Sequence, residues 1–277
     1  MKKQKKQPLL AVLRRQFSEY SKEQLYAEVL CGGVRMSNGE TLRDPRQTIA
    51  EGIELEIREK KRYVSRGGEK LHKAIEEFAS QGFRVADTIV LDAGASSGGF
   101  SDCLLQHGCR QIYAVDSGKN QLDFQLRRDP RVLSFEGCKI QDFLSDLPDS
   151  GLNLPDFVVM DISFRSILAL LPISLSACRR HAGVFLCKPQ FEWNSYCQAH
   201  PRHRATNFSG IVQDKLSFQV FDWFCEQLQR ADISIRASCP SPIRGRGRGD
   251  QDQGSKGQGN LEFLLYLQQN VAANPKY

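Results

Sequence analysis

Two charged residues stand at the ends of apolar runs, where an uncompensated charge is costly. In "FVVMDISF" Asp161 follows a run of buried-strand type, and in "VFLCKPQFEW" Lys188 ends another, with Pro189 directly after it. Proline cannot continue a strand in the centre of a sheet, so Lys188 lies at a strand's carboxyl end. An ammonium group leaving water there needs a partner, and a carboxylate at the end of a neighbouring strand supplies one. A structural ion pair accounts for the two charges but not for their place. In an open parallel sheet the carboxyl ends of the strands line the ligand crevice.

A third stretch, "VLDAGASSGGFSDCLL" (residues 90–105), runs from an apolar strand through Asp92 and a Gly-rich turn into a helix starting near Gly99. Small residues at Gly94, Ala95, Ser96, Gly98 and Gly99, followed by Phe100, let a ligand approach the backbone and the free N–H groups of a helix start. A second strand ends in Asp116, placed to hydrogen-bond ribose hydroxyls. The stretch lacks the spacing of Gly-x-Gly-x-x-Gly, so it is not built around a diphosphate. It suits S-adenosyl-L-methionine, whose ammonium group needs a carboxylate or carbonyl that Asp92 and the turn can offer. The alternative is a purely structural strand-to-helix turn.

These residues need a scaffold, and the pattern after residue 62 provides one. "TIVLDAGA", "QIYAVDSG", "RVLSFEG", "DFVVMDISF", "GVFLCKPQF", "ISIRASCPS" and "LEFLLYLQ" read as strands, with helical segments between most of them. Strand–helix alternation with near-continuous apolar strands predicts an α/β, Rossmann-like parallel sheet covered on both faces. The last strand follows a loop, which leaves room for it to enter antiparallel. Residues 8–61 read as a smaller α/β module, with Ser21 as a helix cap and an Asn38-Gly39 hairpin turn. The expected organisation is therefore a basic tail (1–7), a small module (8–61) and a catalytic body (62–277).

Charge separates the two parts. Residues 1–70 hold 16 Lys and Arg against 10 Asp and Glu, whereas the rest holds 22 against 22. A basic module on a neutral body points to a polyanion, nucleic acid before membrane. Nine cysteines form no Cys-x-x-Cys pair and several lie in apolar runs, as expected of small buried side chains in a reducing cytoplasm. No metal site is expected from this spacing. His200 and His203, beside Arg202 and Arg204, read as part of a basic surface loop. No apolar run approaches the ~18 residues of a membrane span, and the start does not read as a signal peptide. A soluble, cytoplasmic protein is expected. The low-complexity segment 243–260 reads either as a flexible linker or as an Arg-Gly segment touching RNA through Arg244, Arg246 and Arg248.

From about residue 8 to 268 the chain resembles the TlyA family, known both as haemolysins and as ribosomal RNA 2′-O-methyltransferases, with an FtsJ-like (RrmJ-type) catalytic domain. The shared stretches are "YVSRGGEKL", "LDAGASSGGF", "DPRVL", "DISFRSILALLP", "KPQFE" and "GNLEFLLYL". The segment "EGCKIQDF" departs from the Thr-Asn that members tend to carry beside the adenine. The family's catalytic Lys–Asp–Lys–Glu tetrad maps onto Lys70, Asp161, Lys188 and Glu262, with Asp161 also beside the cofactor. The resemblance implies methyl transfer from S-adenosyl-L-methionine to a ribose 2′-hydroxyl of cytidine in ribosomal RNA, within ribosomal subunits. "YSKEQLYAEVLCGGVRMSNGE" resembles the small RNA-binding domain named after ribosomal protein S-four, which makes Arg14, Arg15, Lys22 and Arg35 candidates for RNA contact, with Arg66 in the joint. A non-catalytic ribosome assembly factor is the competing expectation, and a lytic protein the third. The intact tetrad and turn argue against the former, and the lack of any membrane-type pattern against the latter. The attached basic module disfavours a small-molecule substrate.

Overall fold

The computed structural model describes residues 6–58, 62–203, 208, 210–245 and 259–270. It divides into two compact units, Met1–Lys61 and Arg62–Tyr277.

The first unit contains β1 (Lys6–Pro8), α1 (Leu9–Gln16), α2 (Lys22–Leu30), β2 (Val34–Met36), β3 (Thr41–Leu42), β4 (Thr48–Ala50) and β5 (Leu55–Ile57). Ser21 closes a capping box on α2: its hydroxyl accepts from the Gln24 amide while the Gln24 side chain accepts from the Ser21 amide. Gly39, at φ +88°, turns β2 back onto β3. Leu9, Val12 and Leu13 of α1 pack with Leu25 and Val29 of α2 and with Val34, Leu42 and Leu55 of the strands. The basic side chains are left outside this core.

The second unit contains α3 (Gly67–Phe78), β6 (Ile89–Ala93), α4 (Gly99–Gln106), β7 (Gln111–Asp116), α5 (Phe124–Arg128), β8 (Val132–Glu136), α6 (Ile140–Asp146), β9 (Phe157–Met160), α7 (Leu171–Ser176), β10 (Ala182–Cys187), α8 (Pro189–Ala199), α9 (Asp214–Arg230), β11 (Ile233–Pro240) and β12 (Phe263–Gln269). Seven strands form one sheet in the order β11-β12-β10-β9-β6-β7-β8. Neighbours from β8 through β10 are parallel, and β12 runs antiparallel to both β10 and β11. All seven strand segments read from the sequence are present, and the Rossmann-like α/β fold is as expected.

Alternation along the strands divides the core. Ile89, Leu91 and Ala93 of β6 join Val158, Met160, Phe185 and Cys187 beneath α6 to α9. Val90, Ile112, Ala114, Val184 and Leu186 face Leu71, Ala74, Cys103 and Leu104 of α3 and α4. The order reverses at β6, between β7 and β9, so the crevice opens at the carboxyl end of β6.

Two segments differ from expectation. Pro189–Ala199, whose first three residues belong to the expected strand segment "GVFLCKPQF", form α8. Pro189 stops β10 but also occupies the first turn of α8, where its missing N–H costs nothing. Trp193, Tyr196 and Cys197 then fall on one helical face and are buried in the core, and the His200 ring stacks on Tyr196. In the other segment, only Leu171–Ser176 of the apolar stretch 165–180 is helical, starting beside Pro172. No helix among the described residues is long and apolar enough to cross a membrane.

Candidate active site

The carboxyl ends of β6, β7 and β9 enclose a cavity of about 500 Å³, and a smaller one of about 150 Å³ adjoins it. Gly94, Ser96, Asp161 and Ser163 line both. Gly94 takes φ +85°, and a Cβ there would come within 3.0 Å of the Asp161 carbonyl, so the turn can pass this close only with glycine. Gly98, at φ +91°, caps α4 and packs against Leu126, where a Cβ would clash at 2.1 Å. It shapes the turn from behind. Ala95, Gly99 and Phe100 line the smaller cavity.

Asp116 lines the larger cavity and braces its mouth. Its Oδ2 accepts from the Ser96 amide at 2.8 Å and its Oδ1 from the Gly118 amide at 2.6 Å. Ile140 and Ile162 add apolar surface, and Gln121 and Gln141 add polar groups that the sequence reading did not single out.

Asp92 is placed differently from expectation. The two-residue period of β6 turns its side chain towards α4, where Oδ2 accepts from the Ser101 hydroxyl at 2.6 Å. It is fully buried and is not among the residues lining either cavity. Burial pushes its carboxyl up to about 7, the Ser101 hydrogen bond opposing. A folded-state value above the unfolded one means that the neutral acid is the form the fold favours. The contribution is complete below pH ~4 and is lost as pH rises towards ~7, on the order of 4 kcal/mol in all. Asp92→Asn is therefore expected to flatten the fall of Tm between pH 4 and 7 relative to wild type, read by calorimetry. Parallel pH profiles would refute this assignment.

The four tetrad residues do come together. Lys70 projects from α3 and donates to Glu262, just before β12, at 2.5 Å, with Asp161 4.0 Å away. Lys188, at the junction of β10 and α8, pairs with Asp161 and donates to the Ser163 hydroxyl at 2.8 Å. Gln190 donates to the other Glu262 oxygen at 3.3 Å. The result is an alternating row, Lys188–Asp161–Lys70–Glu262, that is balanced in charge. Burial pushes the Asp161 carboxyl up, but the Lys188 and Lys70 charges outweigh it and hold it below the usual carboxylate range. Asp161 is thus ionised. Among the described residues, Lys188 is the sole lysine lining the smaller cavity.

Three contributors escaped the sequence reading. Ser163 positions Lys188. Glu192, buried on α8, accepts from the Ser166 hydroxyl and the Ile167 amide, and so fixes the loop that follows Asp161. Phe164 lines the larger cavity yet is 88% exposed, on a left-handed backbone (φ +68°) that disfavours a bulky residue. Its ring lies 5.5 Å from that of Phe191, over which Lys188 sits.

Of the candidate RNA contacts, Arg14, Arg15 and Lys22 are exposed on the first unit, and Arg35 is half-buried, its Nε without a hydrogen-bond partner among the described residues. Arg66 is exposed between Ser65 and Gly67, two residues of the smaller cavity. Arg244 is otherwise engaged: its guanidinium makes two bonds to Asp214, at 2.8 and 2.7 Å, and one to the Gly259 carbonyl. It ties the segment to the start of α9. Arg246, Arg248 and most of segment 243–260 lie outside the described residues.

The profile of the FtsJ-like methyltransferase family matches residues 63–244, which begins just after the first unit. "Putative rRNA methyltransferase YqxC" of Bacillus subtilis is 34% identical over 86% of this chain and 77% of its own. The "16S/23S rRNA (cytidine-2'-O)-methyltransferase TlyA" of Mycobacterium tuberculosis is 41% identical over 47% of each chain. A solved structure titled "Putative hemolysin from Streptococcus thermophilus" is similar at a TM-score of 0.62 and 34% identity, covering 95% of this chain and 88% of that one. Sequence profile and relatives agree, and the chain belongs to the FtsJ-like methyltransferase family.

Proposed function

We propose that this protein transfers the methyl group of S-adenosyl-L-methionine to a ribose 2′-hydroxyl of ribosomal RNA, at cytidine. The observation that carries the reading is the closed Lys188–Asp161–Lys70–Glu262 row beside the paired cavities. The name of the M. tuberculosis relative gives the nucleotide.

The residues present fit the cofactor. The larger cavity, about 500 Å³, falls in the range of small-ligand sites. Asp116 offers carboxylate oxygens to a ribose diol, Ile140 and Ile162 offer apolar surface to a base, and Gln141 offers an amide to its edge. The Gly94 turn holds the amino-acid end, and ionised Asp161 gives a cationic sulfonium a complementary charge. Bound there, the cofactor supplies an electrophilic methyl group.

The chain's own task is to place and activate a weakly nucleophilic alcohol. Lys188 faces the smaller cavity, held by Asp161 and Ser163, with its ammonium directed to where the ribose oxygen enters. Placed by Asp161 and Ser163, Lys188 acts in this reading as a cation that stabilises negative charge developing on the oxygen, while the hydroxyl proton leaves to water. Fixing the oxygen in line with the methyl contributes much of the rate. Lys70 and Glu262 hold Asp161, and through it Lys188, in one geometry. The first unit, with exposed Arg14, Arg15 and Lys22, is the proposed RNA-docking module of S-four type.

The test is transfer of labelled methyl from S-adenosyl-L-methionine to ribosomal subunits lacking the modification, with the product mapped by nuclease digestion. Label on a cytidine 2′-oxygen is expected. Label on a base would overturn the chemistry, and RNA binding without transfer would indicate an assembly factor. Phe164 gives a second expectation. An exposed aromatic ring at the mouth of the cavity is a stacking surface for the target base, worth about 1–3 kcal/mol. Phe164→Ala should raise KM for RNA by about 5- to 160-fold, leaving KM for the cofactor within twofold. An unchanged KM for RNA would remove Phe164 from the RNA path.

A further inference from the structure

Away from both cavities, the seam between α3 and α4 gathers three side chains that bind metals. His72 lies on α3, while Cys103 and His107 are four residues apart on α4 and its carboxyl end, so both face α3. Their ligand atoms lie within 4.8 Å of one another. His72 Nδ1 is 3.3 Å from His107 Nε2, and Cys103 Sγ is 3.6 Å from the other nitrogen of that ring, Nδ1, so the thiol must turn towards the Nε2 side to join them on one ion. Two imidazole nitrogens bound tetrahedrally at ~2.0–2.1 Å would stand about 3.3–3.4 Å apart.

The outer partners match as well. His107 Nδ1 lies 2.8 Å from the Cys103 carbonyl. A carbonyl only accepts, so the proton is on Nδ1 and the Nε2 lone pair faces His72. His72 Nε2 has two neighbours, Glu76 Oε1 at 3.1 Å and Arg62 Nη1 at 2.7 Å. Donation to Glu76 leaves the His72 Nδ1 lone pair facing that of His107, an arrangement that a cation between them stabilises. Accepting from Arg62 instead puts a proton on Nδ1, which then bonds His107 directly. The ring thus has one tautomer for the metal-bound state and one for the metal-free state. A carboxylate and a backbone carbonyl behind two histidines form the usual outer shell of a metal site. The buried hydroxyl of Tyr63, beside Cys103, supplies a nearby oxygen.

We propose that His72, Cys103 and His107 form a structural site for a zinc-class divalent cation that clips α3 to α4. Two imidazoles and a thiolate select such a borderline ion over magnesium or calcium, which take oxygen ligands. The clip has a purpose in this fold. α3 carries Lys70, and α4 begins at the Gly-rich turn, so fixing their spacing fixes one side of the tetrad against the cofactor wall.

The test is optical and independent of methyl transfer. The full chain, stripped with a chelator and kept reduced, is titrated with Co²⁺. One equivalent is expected to produce a thiolate-to-cobalt charge-transfer band and intense four-coordinate d–d bands, both displaced by Zn²⁺. Cys103→Ser should abolish the charge-transfer band. His72→Gln, at the more accessible edge of the cluster, should weaken Co²⁺ binding about 10- to 100-fold. It decides the case if Cys103→Ser fails to fold. A wild-type spectrum without the charge-transfer band, or a band unchanged in either variant, overturns the site.

Discussion

Lys188→Met is expected to lower the rate of methyl transfer by about 10²–10⁴-fold, the range typical of a group acting directly on the reacting proton or charge. The Met side chain fills much of the lysine stem's volume, so the core beneath Cys187 should stay packed. What is lost is the ammonium that Asp161 and Ser163 aim into the smaller cavity. RNA binding should change little, because one charge in a recessed cavity adds little to docking. The informative comparison is Lys188→Arg. Arginine keeps the positive charge but does not give up its proton in proteins, so it cannot serve as a base. If Lys188 stabilises charge, the Arg variant recovers at least tenfold of the activity that Met loses. If Lys188 is a base, Arg is as inactive as Met, and the wild-type pH–rate profile shows a limb from an ionising group. Single-turnover rates at saturating cofactor, measured across pH for all three proteins, separate the two roles.

Much of this site was legible before any coordinates. Asp161 and Lys188 stand out because each ends an apolar run, and strand ends have only one place in a parallel sheet. Lys70 and Glu262 did not stand out on physical grounds: 192 residues separate them, and only the resemblance to a family joined them. Asp92 shows a rule left unused. Leu91 and Ala93 face α6 to α9, so Asp92 must face α4, and strand alternation alone argues against its reaching the cavity. Helix α8 was lost to the opposite error, since Pro189 was read only as a stop. The Trp193, Tyr196 and Cys197 spacing was present in the sequence but carries weight only once a helix is suspected. Phe164 could not be found at all: nothing in "DISFRS" distinguishes an exposed ring from a buried one. The His72–Cys103–His107 cluster likewise depends on how α3 packs on α4, which spacing along the chain does not encode.

Glu262→Gln is expected to cost about 3–5 kcal/mol of stability, the usual result of removing one partner from a buried ion pair. Glu262 is 3% exposed and Lys70 is 8% exposed, so neither can turn to water when the other is lost. Asp161 cannot fully take over: it is 4.0 Å from Lys70 and already paired with Lys188. The remaining row would carry two ammonium groups against one carboxylate, and activity should fall with stability because Lys188 loses its fixed setting. The double variant Lys70→Met/Glu262→Leu separates these effects. Replacing both charges with apolar groups of similar bulk removes the unpaired ion, so most of the stability should return while activity does not. Urea unfolding of the three proteins at pH 7.5 checks the first part, and methyl transfer the second. Acid provides an independent check on the same row. Asp161 ionises below its ordinary range, so its stabilising contribution is present above the unfolded-state pKa of ~3.9 and is lost as pH falls through the lower folded value. Wild type should therefore lose stability steeply below pH ~4, and Asp161→Asn should lose less over that interval. A double variant no more stable than Glu262→Gln would show that the tetrad's cost lies in packing, and the balanced-charge reading of the row would have to be given up.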